Sequence, residues 1–179
     1  YGLYLFLDGA RLGYGLAAPD NDLTLPDIAA LCDVFYIGGT KVGALFGEAV
    51  VIKNPELAQD FRYLIKQNGG MLAKGRLLGL QFDALFTDGL YQVISAHAIA
   101  MAEKLREAFT AKGYTYLAPN RTNQIFVIVP DAHLAKISEQ FEYSYDQRID
   151  ATHSCVRFCT GWATREENVD ALIRCVEKL

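Results

Sequence analysis

Two rhythms of apolar and polar residues run along this chain, and the change from one to the other divides it. The opening run Gly2–Leu7 is continuously apolar, the pattern of a strand buried on both faces of an α/β sheet. It ends at Asp8-Gly9-Ala10-Arg11, where strand gives way to loop. Thr24–Cys32 reads as a short helix, with Thr24 as N-cap and Asp27 closing its first turn. A second apolar run, Val34–Ile37, stops at Gly38-Gly39-Thr40-Lys41, and Glu48–Ile52 predicts a third strand ended by Asn54-Pro55. From Pro55 to Gly113 the pattern is helical, broken at Asn68-Gly69-Gly70 and near Asp88-Gly89. Within it, His97–Lys112 is amphipathic, with Ile99, Leu105 and Phe109 at near-helical spacing. Beyond Gly113, strands over Gln124–Val129 and Val156–Thr160 alternate with helices over Ala132–Phe141 and Arg165–Leu179. The expected organisation is α/β in two parts, residues 1–90 and a small α/β domain over 91–179.

Composition narrows the function classes. Of 179 residues, 51% are hydrophobic and 21% charged, which suits a globular core and argues against disorder. The net charge of −4, with basic residues scattered, speaks against nucleic acid or an anionic membrane as partner. No apolar run reaches the roughly 18 residues that cross a bilayer, and YGLYLFL lacks the basic start of a signal peptide. The four cysteines are too sparse for a secreted disulfide scaffold, so a cytoplasmic location is expected. The chain begins without Met and directly in a strand-like run, so sequence upstream of Tyr1 is expected as well.

Candidate chemistry gathers at strand ends. Asp8 and Lys41 both fall just past the carboxyl ends of predicted strands, the edge where open α/β sheets bind ligands. An acid and a lysine there, with the small Gly38-Gly39 ahead of the lysine to admit a ligand closely, meet the needs of a pyridoxal-phosphate (PLP) site. The plainer alternatives are a turn-forming Asp8 and a solvated loop lysine at Lys41. Gly38–Gly43 lacks the spacing of a Walker motif. Alternation along Cys155–Thr160 places Arg157 on the face of Cys155 and Cys159, residues that prefer burial, and a half-buried arginine needs an anion. That anion is either a substrate carboxylate or an internal acid across the sheet. Arg11 is a second carboxylate or cofactor contact, or else a surface arginine. His97, His133 and His153 lie far apart on different elements, so no metal site is expected. Tyr14 and Trp162 are readable as core aromatics or as neighbours of a site.

Asp8-Gly9-Ala10-Arg11, followed by Asp33-Val34-Phe35-Tyr36-Ile37-Gly38-Gly39-Thr40-Lys41, resembles the threonine aldolase / β-eliminating lyase family of fold-type-I PLP enzymes. Asn68-Gly69-Gly70-Met71 is similar to that family's Gly-Gly-Met turn, and Val156-Arg157-Phe158 to its late carboxylate-binding strand. The resemblance covers the chain in order and implies the second half of a fold-type-I PLP-binding large domain, followed by a small C-terminal α/β domain. It implies that Lys41 forms the Schiff base, that Asp8 pairs with the pyridine nitrogen, and that Arg157, with Arg11, takes the substrate carboxylate. Thr40 and Arg11 are further cofactor contacts. Where the family carries an arginine after its Gly-Gly-Met turn this chain has Leu72, so Lys74 or Arg76 is the expected replacement. The implied reaction is retro-aldol cleavage of a threonine-like β-hydroxy-α-amino acid to glycine and an aldehyde. The alternatives are β-elimination or transamination with the same cofactor, or a non-catalytic fragment. The family's phosphate loop and ring-stacking residue belong to its N-terminal half, as does the expected base, a histidine, so these residues alone are not expected to be competent. A homodimer or homotetramer is expected by analogy.

Overall fold

The computed structural model describes residues 1–179. They form two compact units, one of Tyr1–Leu16 with Asn21–Ile94 and one of Ala17–Asp20 with Ser95–Leu179. The main division, between Ile94 and Ser95, falls inside a helix. No helix is long and apolar enough to cross a membrane.

The first unit is built on a three-stranded sheet in the order β1 (Phe6–Leu7), β2 (Val34–Gly38), β3 (Glu48–Ile52). β1 and β2 run parallel, with Phe6 opposite Val34 and Leu7 opposite Phe35, whereas β3 returns antiparallel. The helix α1 (Leu12–Leu16) leaves the turn after β1. α2 (Leu25–Leu31) starts at the expected capping box, in which Asp27 N donates to Thr24 Oγ1 and Thr24 N to Asp27 Oδ2. One expectation fails at the start of the chain. Gly2–Leu7 is not a strand buried on both faces: only Phe6 and Leu7 pair, and Leu3 is 83% and Leu5 52% exposed. β1 is the edge strand of its sheet, hydrogen-bonded to β2 alone, and Leu3 and Leu5 precede its two paired residues and so lie outside the sheet.

The helical stretch after β3 is cut more finely than its pattern implies. α3 (Pro55–Ala58) and α4 (Phe61–Gln67) are separated at Asp60, which adopts φ 56°. α4 ends at the expected glycines, where Gly70 N donates to Ile65 O and Gly69 N to Lys66 O, the paired bonds of a Schellman cap. α5 (Arg76–Phe86) follows, then a short 3₁₀ turn at Thr87–Gly89 and the long α6 (Leu90–Ala111).

The second unit is a four-stranded antiparallel sheet in the order β4 (Thr115–Tyr116), β5 (Gln124–Pro130), β7 (His153–Cys159), β6 (Ser144–Arg148). Along β5, Ile125, Val127 and Val129 are fully buried, and they oppose Phe158, Val156 and Ser154 of β7 in turn. These residues form one core with Phe109 of α6, Leu134 and Ile137 of α7 (Asp131–Ile137), and Val169, Leu172 and Val176 of α8 (Glu166–Glu177). Each such side chain contributes about 1.5–3 kcal/mol of burial.

Candidate active site

Because β1 and β2 run parallel, the residues that follow them arrive at one edge of the sheet, the edge that serves ligands in α/β folds. Asp8 follows β1, and Thr40 and Lys41 follow β2. One step beyond Leu7–Phe35, the register brings Asp8 level with Tyr36. The Tyr36 hydroxyl donates to Asp8 Oδ1, which also accepts from Ala10 N at 3.0 Å. Oδ2 takes no hydrogen bond. The Tyr36 hydroxyl foremost, then the Ala10 amide and the charge of Lys41, hold the Asp8 carboxyl below its ordinary range. In return the same hydrogen bond, with some burial and the charges of Asp8 and Glu48, pushes the Tyr36 phenol up to about 12. The result is a carboxylate with one oxygen occupied and one open, ionised throughout the neutral range.

The two strand ends meet backbone to backbone. Gly38 N donates to Gly9 O at 2.9 Å, and a Cβ on Gly38 would stand 2.5 Å from Ala10 O. A Cβ on Gly39 would stand 2.6 Å from Gly47 O and 2.7 Å from the Phe82 ring. This corrects the reading that Gly38-Gly39 are small in order to admit a ligand: the chain itself fills that space.

The loop carrying Lys41 is fixed from several sides. Gly39 N donates to Glu48 Oε2 at 2.8 Å, while Gly39 O accepts from Val42 N at 2.9 Å and Ala44 N at 3.0 Å. The buried Tyr14 donates to Lys41 O. Tyr91 donates to Gly38 O at 2.9 Å and accepts from Gly13 N at 3.1 Å, and burial pushes its phenol up to about 12. Against this held backbone the Lys41 side chain is exposed, and its amine makes no hydrogen bond or ion pair. The backbone is thus held while the end of the side chain stays open to solvent.

The other expected residues are placed less closely. Arg11 is half-buried in the turn between β1 and α1, and Thr40 is exposed. Lys74 and Arg76 are exposed at the start of α5. In the second unit, Arg157 lies on β7 opposite Phe126, with Cys155 opposite Ile128 and Cys159 opposite Gln124, so the three share a face. Cys155 is buried there, but Cys159, the last residue of the strand, is exposed, against the expectation that both are covered. Arg157 Nη1 donates to Gln124 Oε1 at 3.3 Å and its guanidinium carbon stands 5.9 Å from the centre of the Phe126 ring. No acid pairs with it, and its buried Nε has no hydrogen-bond partner. Arg157, Cys159 and Thr160 line a cleft of about 390 Å³ with Tyr143, Ser144 and Asn168. Each histidine is engaged separately: His97 with Thr164 O at 2.7 Å, His133 with the Tyr114 hydroxyl at 2.7 Å, His153 with Asp150 at 3.1 Å. Trp162 is 46% exposed.

Tyr36, Tyr91 and Glu48 are the contributors that sequence reading missed. Tyr36 stands 28 residues from Asp8, the offset that relates β1 to β2 throughout, which only the strand register reveals.

An open sheet with an acid and a lysine at its carboxyl edge, followed by a small α/β unit, defines the class: the fold is that of the fold-type-I PLP enzymes. The tryptophan decarboxylase of Catharanthus roseus superposes on 99% of the chain with a TM-score of 0.70, covering 43% of that enzyme at 14% identity, which shows the fold alone. Within that class the similarity is to threonine aldolases. The threonine aldolase of Leishmania major has a TM-score of 0.97 and 42% identity over 99% of this chain and 52% of its own. A low-specificity L-threonine aldolase from a Pseudomonas species is 31% identical over 175 residues, 96% of this chain and 49% of the relative. The resemblance carried by Asp8–Arg11 and Asp33–Lys41 is thus borne out in sequence and in structure. The chain spans about half the length of these relatives. No family model matches it.

Proposed function

We propose that this chain supplies the lysine-bearing part of a cytoplasmic PLP-dependent lyase, which cleaves a threonine-like β-hydroxy-α-amino acid to glycine and an aldehyde. The observation that carries the reading is the pairing, at one sheet edge, of an ionised Asp8 with one open oxygen and a Lys41 amine free of partners. These residues fit the cofactor. Lys41 would hold its aldehyde carbon, and Asp8 Oδ2 its protonated ring nitrogen. Arg11, Thr40 and Lys74 are the proposed further contacts. When bound, PLP supplies an electron-withdrawing ring conjugated to the substrate's α-carbon.

The rest is work for the chain's own side chains. Asp8, an anion at neutral pH, would favour a proton on the ring nitrogen of the bound cofactor. Tyr14, Tyr91 and Glu48 hold the backbone from which Lys41 projects, so that its amine returns to one place in each turnover. Arg157 offers a guanidinium with an unused N–H, suited to a carboxylate, and we assign it, with Arg11, to the substrate's carboxyl group. The threonine aldolase comparisons favour cleavage of the Cα–Cβ bond over transamination or β-elimination, which would use the same groups. We propose a homodimer or homotetramer as the working form.

The test is to offer threonine to the full-length PLP-loaded protein. Glycine and acetaldehyde are expected in equal amounts, with no keto acid. Keto acid in place of aldehyde would move the assignment to another PLP reaction, and neither product would favour a non-catalytic role.

A further inference from the structure

Resting on the assignment of Asp8 to a pyridine nitrogen, we propose that Tyr36 is a positioning residue that locks Asp8 by its Oδ1 and reserves Oδ2 for the cofactor. Asp8 is exposed. A carboxylate on a short side chain at a strand end is free to rotate and to exchange its two oxygens in water. Here Oδ1 is taken twice, by the Ala10 amide from the adjoining turn and by the Tyr36 hydroxyl from the neighbouring strand. The amide alone would be the ordinary capping bond of an Asp-Gly turn. The phenol adds a second direction and ties Asp8 to β2, whose next residues lead to Lys41. Tyr36 is itself half-buried, with its ring against Phe6 at 6.1 Å between centroids, so the hydroxyl is presented from a supported ring.

The charged and titratable groups acting here are few. Asp8 feels Tyr36 from β2 and Lys41 from the loop beyond it, while Tyr36 feels Asp8 and Glu48, the first residue of β3. Of these, only Tyr36 bonds the carboxylate through its side chain. Its effect is twofold: it fixes the rotamer, and it disfavours protonation of Asp8. A purely structural tyrosine filling the gap between strands would do neither, and its loss would lower stability without altering Asp8.

Tyr36→Phe separates these accounts, because it keeps the ring and its contact with Phe6. In the full-length protein stripped of cofactor, with ¹³C-labelled aspartate, the Asp8 carboxyl is followed by NMR as pH falls and assigned by its disappearance in Asp8→Asn. Tyr36→Phe should move its midpoint up towards the ordinary carboxylate range. Reciprocally, Asp8→Asn should bring the Tyr36 phenol down from about 12. Reloaded with PLP, Tyr36→Phe should retain the cofactor about tenfold more weakly, the scale of a charge-assisted hydrogen bond. An unmoved Asp8 titration together with unchanged PLP affinity would overturn the role of Tyr36. If Asp8→Asn itself leaves PLP affinity and absorption intact, the pyridine assignment falls, and this proposal with it.

Discussion

Arg157 is held by less than its chemistry can use. Its one polar contact is Gln124, its guanidinium stands near Phe126, and its Nε is buried without an acceptor. A buried unsatisfied donor costs about 1–3 kcal/mol, so such an arrangement persists most readily where an anion completes it. The internal ion pair that was the plainer reading of this residue is absent. Arg157→Lys should therefore weaken glycine binding in the PLP-loaded protein by roughly 2–3 kcal/mol, since an ammonium cannot reproduce the two-pronged donor. The melting temperature should stay near that of the unsubstituted protein. Titration with glycine alongside a melting curve checks this; unchanged affinity in a destabilised variant would remove Arg157 from the site. The places of Asp8, Lys41 and Arg157 relative to the strands were legible because each stands at a marked point in a strand pattern. Tyr36 was not, because its role depends on the register between two strands, and no local pattern specifies which residue of β2 lies level with Asp8.

Local signals located most elements and failed where the cause is tertiary. The capping box of Thr24 and Asp27, the glycines at Gly69-Gly70 and the alternation of β5 act within a few residues of themselves, and each element stands where these signals placed it. β6 escaped notice because Ser144–Arg148 is exposed along its whole length and so carries no alternation. The break at Asp60 is a left-handed residue in a helical pattern, a choice imposed by the chain's path rather than by residue type. Gly38 shows how an element can be legible while its purpose is not. Its hydrogen belongs to the crossing of β2 with the Asp8 turn, where Ala10 O and Gly9 O would lie 2.5 and 2.6 Å from any Cβ. Gly38→Ala should force these backbones apart and lower stability by roughly 1–3 kcal/mol, the usual cost of overpacking. Urea unfolding measures it. Stability equal to that of the unsubstituted protein would mean that the strand ends are not in such contact.

At the scale of the molecule the two units differ in how fully they cover themselves. The second encloses a single core of helices against one face of its sheet, and few large apolar residues remain outside it, among them Leu117, Tyr145 and Trp162. The first leaves many exposed, including Leu3, Leu45, Tyr63, Leu77 and Leu80. The expectation of a fully buried first strand failed in this unit, where Phe6 too is 60% exposed. The sequence pattern registered the burial that Gly2–Leu7 calls for, while this chain by itself covers one edge of it. The chain's correspondence to about half the length of the threonine aldolases agrees with that division. All of this converges on one claim, that the free amine at the sheet edge is the point of cofactor attachment. Borohydride reduction of the PLP-loaded full-length protein, followed by peptide mapping, tests it most directly. The account predicts the pyridoxyl group on Lys41; the group on Lys53 or Lys66 instead would contradict it.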